Sequence, residues 1–504
     1  AAPEPVGDDL PARDPGLPES VEIYDTTLRD GAQLEGISLT VDDKLRIADE
    51  LDELGVHFIE GGWPGANPTD IEFFERAARE LRFERSTLVA FGSTRRPRGK
   101  VDDDPTLRNL LDAGTSAVCI VGKSSDFHVT ETLRTTLEEG EAMVADSVRF
   151  LTAAGVRVLF DAEHFFDGWK HNPEYSLRLL EAAAEQGAET LVLCDTNGGS
   201  LPHEVEAIVR EITGHLRDDV KIGVHLHDDT GCGVANALAG VRGGAVQVQG
   251  TINGYGERTG NCNLTTIIPN LTLKMGVRTL PEGRLSRLTT VSHCVAEIVN
   301  ITPDPQAPYV GSSAFAHKAG LHVSAIARRK DAYEHVDPES VGNDTRFVVS
   351  EMAGKATLDL KAQELGLDLD GQALTTLIDE LKRLEHEGYH FEAADGSLEL
   401  LMRRATGWVQ PFFALESFRV IVSEADELRH DTEAIVKLVV GGERVMRIGE
   451  GNGPVNALDA AVRSAIGSRF PQLAKVHLTD FKVRVLDAAK GTGAVTRVLI
   501  DSTD

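Results

Sequence analysis

Between residues 21 and 275, short runs of β-branched and apolar residues closed by Gly, Asp or Pro alternate with longer stretches whose apolar positions recur at helical spacing. Eight runs predict strands: VEIYD (21–25), VHFIEGG (56–62), TLVAFG (87–92), SAVCIVG (116–122), VRVLFDAE (156–163), ETLVLCDT (189–196), VKIGVHLH (220–227) and AVQVQGTIN (245–253). Among the intervening stretches, TVDDKLRIADELDELG (40–55) sets Leu45, Ala48, Leu51 and Leu54 at helical spacing, and Gly55 stops the helix. The order helix, glycine, strand recurs in LGVHFIE, AGTSAVCIV, AGVRVLFDA and QGAETLVLC. Eight strands alternating with helices over about 250 residues predict an α/β fold, a (β/α)8 TIM barrel. An open doubly wound sheet would need a GxGxxG turn after the first strand, and none is there.

The pattern changes after residue 276. Residues 277–410 read as mainly helical, including LTTLIDELKRLEHEG (374–388), with a loop-rich passage at 303–322. From Phe412 onward, FRVIVS (418–423), EAIVKLVVG (433–441), a glycine-rich turn with a helix, and a strand pair within 475–501 predict a small α+β domain. The expected organisation is a flexible tail at 1–20, a catalytic barrel at 21–290, helical linker subdomains at 291–410 and an α+β regulatory domain at 411–504. Because Asp504 directly follows a strand, the expectation is that this domain lacks a completing element at its C-terminus.

Composition narrows the function classes. With 41% hydrophobic and 26% charged residues, the 504-residue chain is neither disordered nor fibrous. Eighty acids against fifty-one bases give a net charge of −29, which argues against a nucleic-acid or anionic-membrane partner held by bulk charge. Five cysteines without a CxxC pair fit a reducing, cytoplasmic compartment. The first twenty residues have neither the basic nor the apolar part of a secretory signal, and no window approaches the roughly 20 apolar residues of a membrane span.

In a barrel the C-terminal strand ends converge on one site. There the sequence places Arg29 and Asp30, Glu60, Glu163 with His164, Asp195 with Thr196, and His225 with His227. Alternation along a strand sets His225 and His227 on one face, opposite Ile222, Val224 and Leu226. With Asp30 they form a two-histidine, one-carboxylate set suited to Zn²⁺, Mn²⁺ or Fe²⁺; the other reading is two histidines that only satisfy hydrogen bonds in the barrel mouth. Arg29 either faces an oxyanion or pairs structurally with Glu60 or Asp25. Glu163 is either an acid or base at the rim or a partner orienting a histidine, and Thr196 binds a substrate carboxylate or caps a helix with Asn197. The run STRRPRGK (93–100) either steers phosphates or is a solvated loop. In GEGNGPVNALDAA (449–461), Gly451, Gly453 and Asn456 either form an effector site at a helix N-terminus or simply connect a strand to a helix.

The runs DTTLRDGAQ, HLHDDTGCGVANALAG, VQGTINGYGERTGNCNL and AFAHKAGLH together resemble the DRE-TIM metallolyases, the group of citramalate, 2-isopropylmalate and homocitrate synthases. The resemblance spans about Val21 to Asp504, and FIEGGWPGANPTD, AEHFFDGWKHNPEY and LCDTNGG are most similar to the citramalate synthase branch. It implies a Claisen-type condensation of pyruvate with acetyl-CoA on the route to isoleucine. It also implies a divalent metal (Mn²⁺, Zn²⁺ or Mg²⁺) on Asp30, His225 and His227 with Asn261 as a further ligand. Arg29 would bind the keto acid, Glu163 and Thr196 would sit on the substrate, Glu60 and Tyr333 would assist binding, and His322 would assist proton transfer. Some members carry Asp two residues after that histidine where this chain has Ser324. A homodimer and an isoleucine effector are further implications. A lyase or aldolase on the same barrel, a synthase using 2-ketoisovalerate or 2-ketoglutarate, and an amino-acid-binding module on an inactive barrel remain as alternatives.

Overall fold

The computed structural model describes residues 11–217, 219–317, 325–326, 329, 332–347, 358–359, 361–362, 366–367, 369–387, 389, 391, 394–408, 410–426, 429–485 and 488–503. These form two compact units, one of residues up to 316 with 334–346, the other of 317–333 with the chain from 347.

The first unit is a closed eight-stranded barrel. Its strands are β1 (Glu22–Asp25), β2 (Phe58–Gly62), β3 (Thr87–Ser93), β4 (Ala117–Lys123), β5 (Arg157–Glu163), β6 (Thr190–Asp195), β7 (Lys221–Leu226) and β8 (Gln247–Gly250). They pair in parallel in chain order, and β8 closes on β1. All eight expected runs are therefore strands. Alternate residues divide the core in two: Ile23, Ile59, Val118, Phe160, Leu191 and Val224 pack outward under the helices, whereas Tyr24, Phe58, Val89, Phe91, Cys119 and Leu159 fill the barrel. Burying each such large side chain stabilises the fold by about 1.5–3 kcal/mol.

Helix Val41–Leu54 starts at a capping box between Thr40 and Asp43 and ends at Gly55, whose φ of 90° is the left-handed conformation a glycine adopts without strain. This fixes the phase of the helix, so that Ile47, Ala48, Leu51 and Leu54 are fully buried.

In the second unit, helices Gly371–His386 and Asp395–Ala405 share a small core of Leu374, Leu377, Leu381, Leu398 and Met402. An antiparallel sheet follows, in the order Ala414–Asp426, Arg429–Val440, Glu443–Gly451, with helix Pro454–Ile466 packed on one face, and a separate antiparallel pair is formed by His477–Val485 and Thr496–Thr503. Among the described residues no helix is long and apolar enough to cross a membrane, and the five cysteines are free thiols.

Candidate active site

The rim residues gather around a cavity of about 260 Å³ at the C-terminal end of the barrel, lined by Arg29, Asp30, Gln33, Trp63, Phe91, Glu163, Thr196, His225, His227 and Arg258 among others. At its floor His225 Nε2 lies 3.2 Å from Asp30 Oδ2 and 3.2 Å from His227 Nε2, and His227 Nε2 is 3.8 Å from the same carboxylate oxygen. One candidate ligand atom from each of the three lies within 4.8 Å of the others, and all three side chains are buried. Burial opposes a charge on Asp30, but Arg29 and the two imidazoles outweigh it and hold the carboxyl well below its usual range. Burial likewise opposes a charge on His225, yet the hydrogen bond and charge of Asp30 raise it above its ordinary value.

The loop after β8 brings the fourth group. Cys262 N donates to Leu226 O and Asp228 N to Gly260 O, which lays residues 260–262 beside the end of β7 and pairs His227 with Asn261. The loop needs its glycines: Gly256 has φ of 156°, and a Cβ there would lie 2.3 Å from Asn261 Nδ2. Asn261 Nδ2 donates to Tyr255 O, while its Oδ1 is buried with no hydrogen-bond partner among the described residues. A buried amide oxygen left over beside two imidazoles and a carboxylate is a donor set that fits a divalent cation. Arg258 Nη2 lies 2.8 Å from His227 Nδ1, the ring nitrogen other than the one nearest Asp30.

Arg29 stands over this floor. Its Nε donates to Glu60 Oε1 at 2.5 Å and its guanidinium lies 3.9 Å from the centre of the Phe91 ring. Tyr24 takes the other Glu60 oxygen at 2.7 Å. Burial pushes Glu60 up despite Arg29, while Glu60 and Asp30 outweigh the burial of Arg29 and hold its guanidinium charge. Glu60 is fully buried and lines no part of the cavity. The ion pair between Arg29 and Glu60 is one of the two readings the sequence offered for Arg29.

Thr196 Oγ1 accepts a hydrogen bond from His164 N at 2.9 Å and faces the cavity; the next helix begins at Pro202, so Thr196 caps nothing. Glu163 lines the cavity and forms an ion pair with Lys123, its register partner on the neighbouring strand. His322 and Ser324 lie outside the described residues. Tyr333 is 50% exposed in the second unit. The run STRRPRGK is divided: Arg95 is buried against Glu139 and Asp146, whereas Arg96, Arg98 and Lys100 are exposed. At the proposed effector segment, Asn456 Oδ1 accepts from Asn452 N, and a Cβ on Gly451 would lie 2.5 Å from Ala457 N, so close packing of strand and helix accounts for that glycine.

Three family models cover the chain: HMGL-like over residues 20–295, homocitrate synthase post-HMGL domain-like over 309–389, and LeuA allosteric (dimerisation) domain over 392–504. The chain belongs to the HMGL-like family. It is 52% identical to the (R)-citramalate synthase of Streptomyces coelicolor, over 97% of this chain and 92% of that protein, and 49% identical to that of Aquifex aeolicus over 97% and 93%. The 2-isopropylmalate synthase of Pyrococcus furiosus is 30% identical over 96% of this chain and 93% of its own length. Within this HMGL-like barrel, sequence reasoning had missed Lys123, Phe91, Asp161, Gln249 and Arg258. Lys123 had a signal, standing one residue past the expected end of its strand; the others become partners only when the barrel closes.

Proposed function

We propose that this member of the HMGL-like family is an acyltransferase of the citramalate synthase type, condensing pyruvate with acetyl-CoA and water to give (R)-citramalate and CoA. Identity of 44–52% to five (R)-citramalate synthases over about the whole chain carries this reading, against 30–31% to the 2-isopropylmalate synthases.

In this reading Asp30, His225 and His227 hold the divalent metal with Asn261 as a further ligand, and the metal supplies Lewis-acid polarisation of the keto acid's carbonyl. Arg29, fixed between Glu60 and Phe91, neutralises the alkoxide that forms when the acetyl-CoA enolate attacks. Thr196 already accepts from His164 N, so its hydroxyl hydrogen is left to donate to the pyruvate carboxylate. Glu163 and His322 are the groups for removing the acetyl methyl proton, and Tyr333 is an auxiliary hydroxyl.

The proposed division of labour places catalysis in residues 21–290, linker subdomains at 291–410 and regulation at 411–504, in a cytoplasmic homodimer. Apolar residues on the C-terminal strands support the dimer: Met446 and Ile448, on the sheet face opposite the helix, are both more than half exposed. Isoleucine is the proposed effector, bound near Gly451, Gly453 and Asn456. The test is CoA release from acetyl-CoA with pyruvate, 2-ketoisovalerate and 2-ketoglutarate in parallel. Pyruvate is expected to give the highest kcat/KM, and a higher value for 2-ketoisovalerate would move the chain to the isopropylmalate branch.

A further inference from the structure

The barrel interior holds polar groups that the chemistry above leaves unused. Asp161 on β5 and Gln249 on β8 are at most 3% exposed. Gln249 is the register partner of His225 on β7 and reaches across the barrel to Asp161. Its Oε1 lies 2.8 Å from His225 Nδ1, and its Nε2 donates to Asp161 Oδ1 at 3.1 Å.

An amide is an asymmetric bridge: its nitrogen only donates and its oxygen only accepts. With Nε2 committed to a carboxyl oxygen, Oε1 faces the imidazole, and His225 must donate from Nδ1. The lone pair of a neutral His225 then sits on Nε2, the atom 3.2 Å from both Asp30 Oδ2 and His227 Nε2. Turning the amide over would give up the donation from Nε2 to Asp161 Oδ1 and set the lone pair on the wrong nitrogen. Asp161 thus decides which way the amide lies, and the amide decides which His225 nitrogen is basic.

We propose that Gln249, oriented by Asp161, is a positioning residue that presents His225 Nε2 to the divalent metal; this rests on the reading of Asp30, His225 and His227 as its ligands. Removing a partner of this kind typically weakens metal affinity about 10- to 100-fold.

The test uses the full chain stripped with chelator, with Mn²⁺ affinity measured by equilibrium dialysis and the His225 tautomer read from imidazole nitrogen-15 shifts. Gln249→Leu is expected to weaken Mn²⁺ binding about 10- to 100-fold and to lose the Nδ1–H tautomer, whereas Gln249→Glu combined with Asp161→Asn, in which the carboxylate accepts from both Nδ1 and the new amide, stays within about threefold of the parent. Parental affinity and tautomer in Gln249→Leu would overturn the proposal, as would an equal loss in both variants. Should the leucine variant not fold, the double variant decides, because it keeps an acceptor at His225 Nδ1 and a donor–acceptor pair at position 161, and a loss beyond about tenfold there contradicts the bridge. Parental affinity in His225→Ala would instead overturn the metal-site reading itself.

Discussion

Arg29→Lys keeps a positive charge at the cavity and changes only its geometry. Arginine meets three demands at once: Nε on Glu60 at 2.5 Å, a flat face 3.9 Å from the Phe91 centroid, and Nη1 3.7 Å from Asp30. A lysine ammonium is a point donor without a plane, so it answers Glu60 or the cavity but not both. The ammonium stays on buried Glu60, because giving up that charged hydrogen bond would cost about 1.5–3 kcal/mol of stability, and the cavity loses its donor. The lost oxyanion contact is worth about 3–4 kcal/mol, which falls on the barrier and corresponds to roughly 10²–10³ in kcat. Metal binding should stay within about threefold of the parent, because Asp30, His225 and His227 are untouched. The assay is thiol-detected CoA release at saturating pyruvate and acetyl-CoA, with Mn²⁺ dialysis on the same preparation. A variant within about tenfold of the parent kcat would mean that charge alone suffices, and the clamp argument would be wrong.

Three other outcomes follow from the geometry. His227→Ala should lose metal and turnover while its barrel still unfolds cooperatively; parental metal content there rules out the proposed ligand set. Asp25 is fully buried and burial pushes its carboxyl up to about 7 against the bonds from Thr27. The folded barrel therefore prefers the neutral acid, so this stability is complete below about pH 4 and is lost as pH rises to about 7, by up to about 4 kcal/mol. Asp25→Asn should flatten that slope in chemical denaturation at pH 5 and pH 8, and an unchanged slope assigns the dependence elsewhere. Asn456→Ala should relieve isoleucine inhibition with basal turnover retained, and inhibition equal to the parent's removes this segment as the effector site.

What the sequence revealed and what it hid divide along one physical line. Strand runs, Gly55 as a helix stop, and the shared face of His225 and His227 depend on local spacing, and each is where alternation put it. Partners made by closure have no local signature: Gln249 meets Asp161 across 88 residues and the width of the barrel. Glu60 shows the limit most clearly. Spacing placed it at a strand end, but only packing against Tyr24 and Arg29 shows that it stands behind the guanidinium instead of in the cavity. Arg95 is similar, since one arginine of an apparently solvated basic run turns inward onto Glu139 and Asp146.

The most direct measurement follows carbon-13-labelled acetyl-CoA and unlabelled pyruvate through one turnover on the Mn²⁺-loaded chain, with chiral chromatography of the product and CoA counted in the same sample. Condensation at this cavity gives labelled (R)-citramalate in a one-to-one ratio with CoA, and neither product from Asp30→Asn. CoA release without labelled citramalate, or undiminished citramalate from Asp30→Asn, would contradict it.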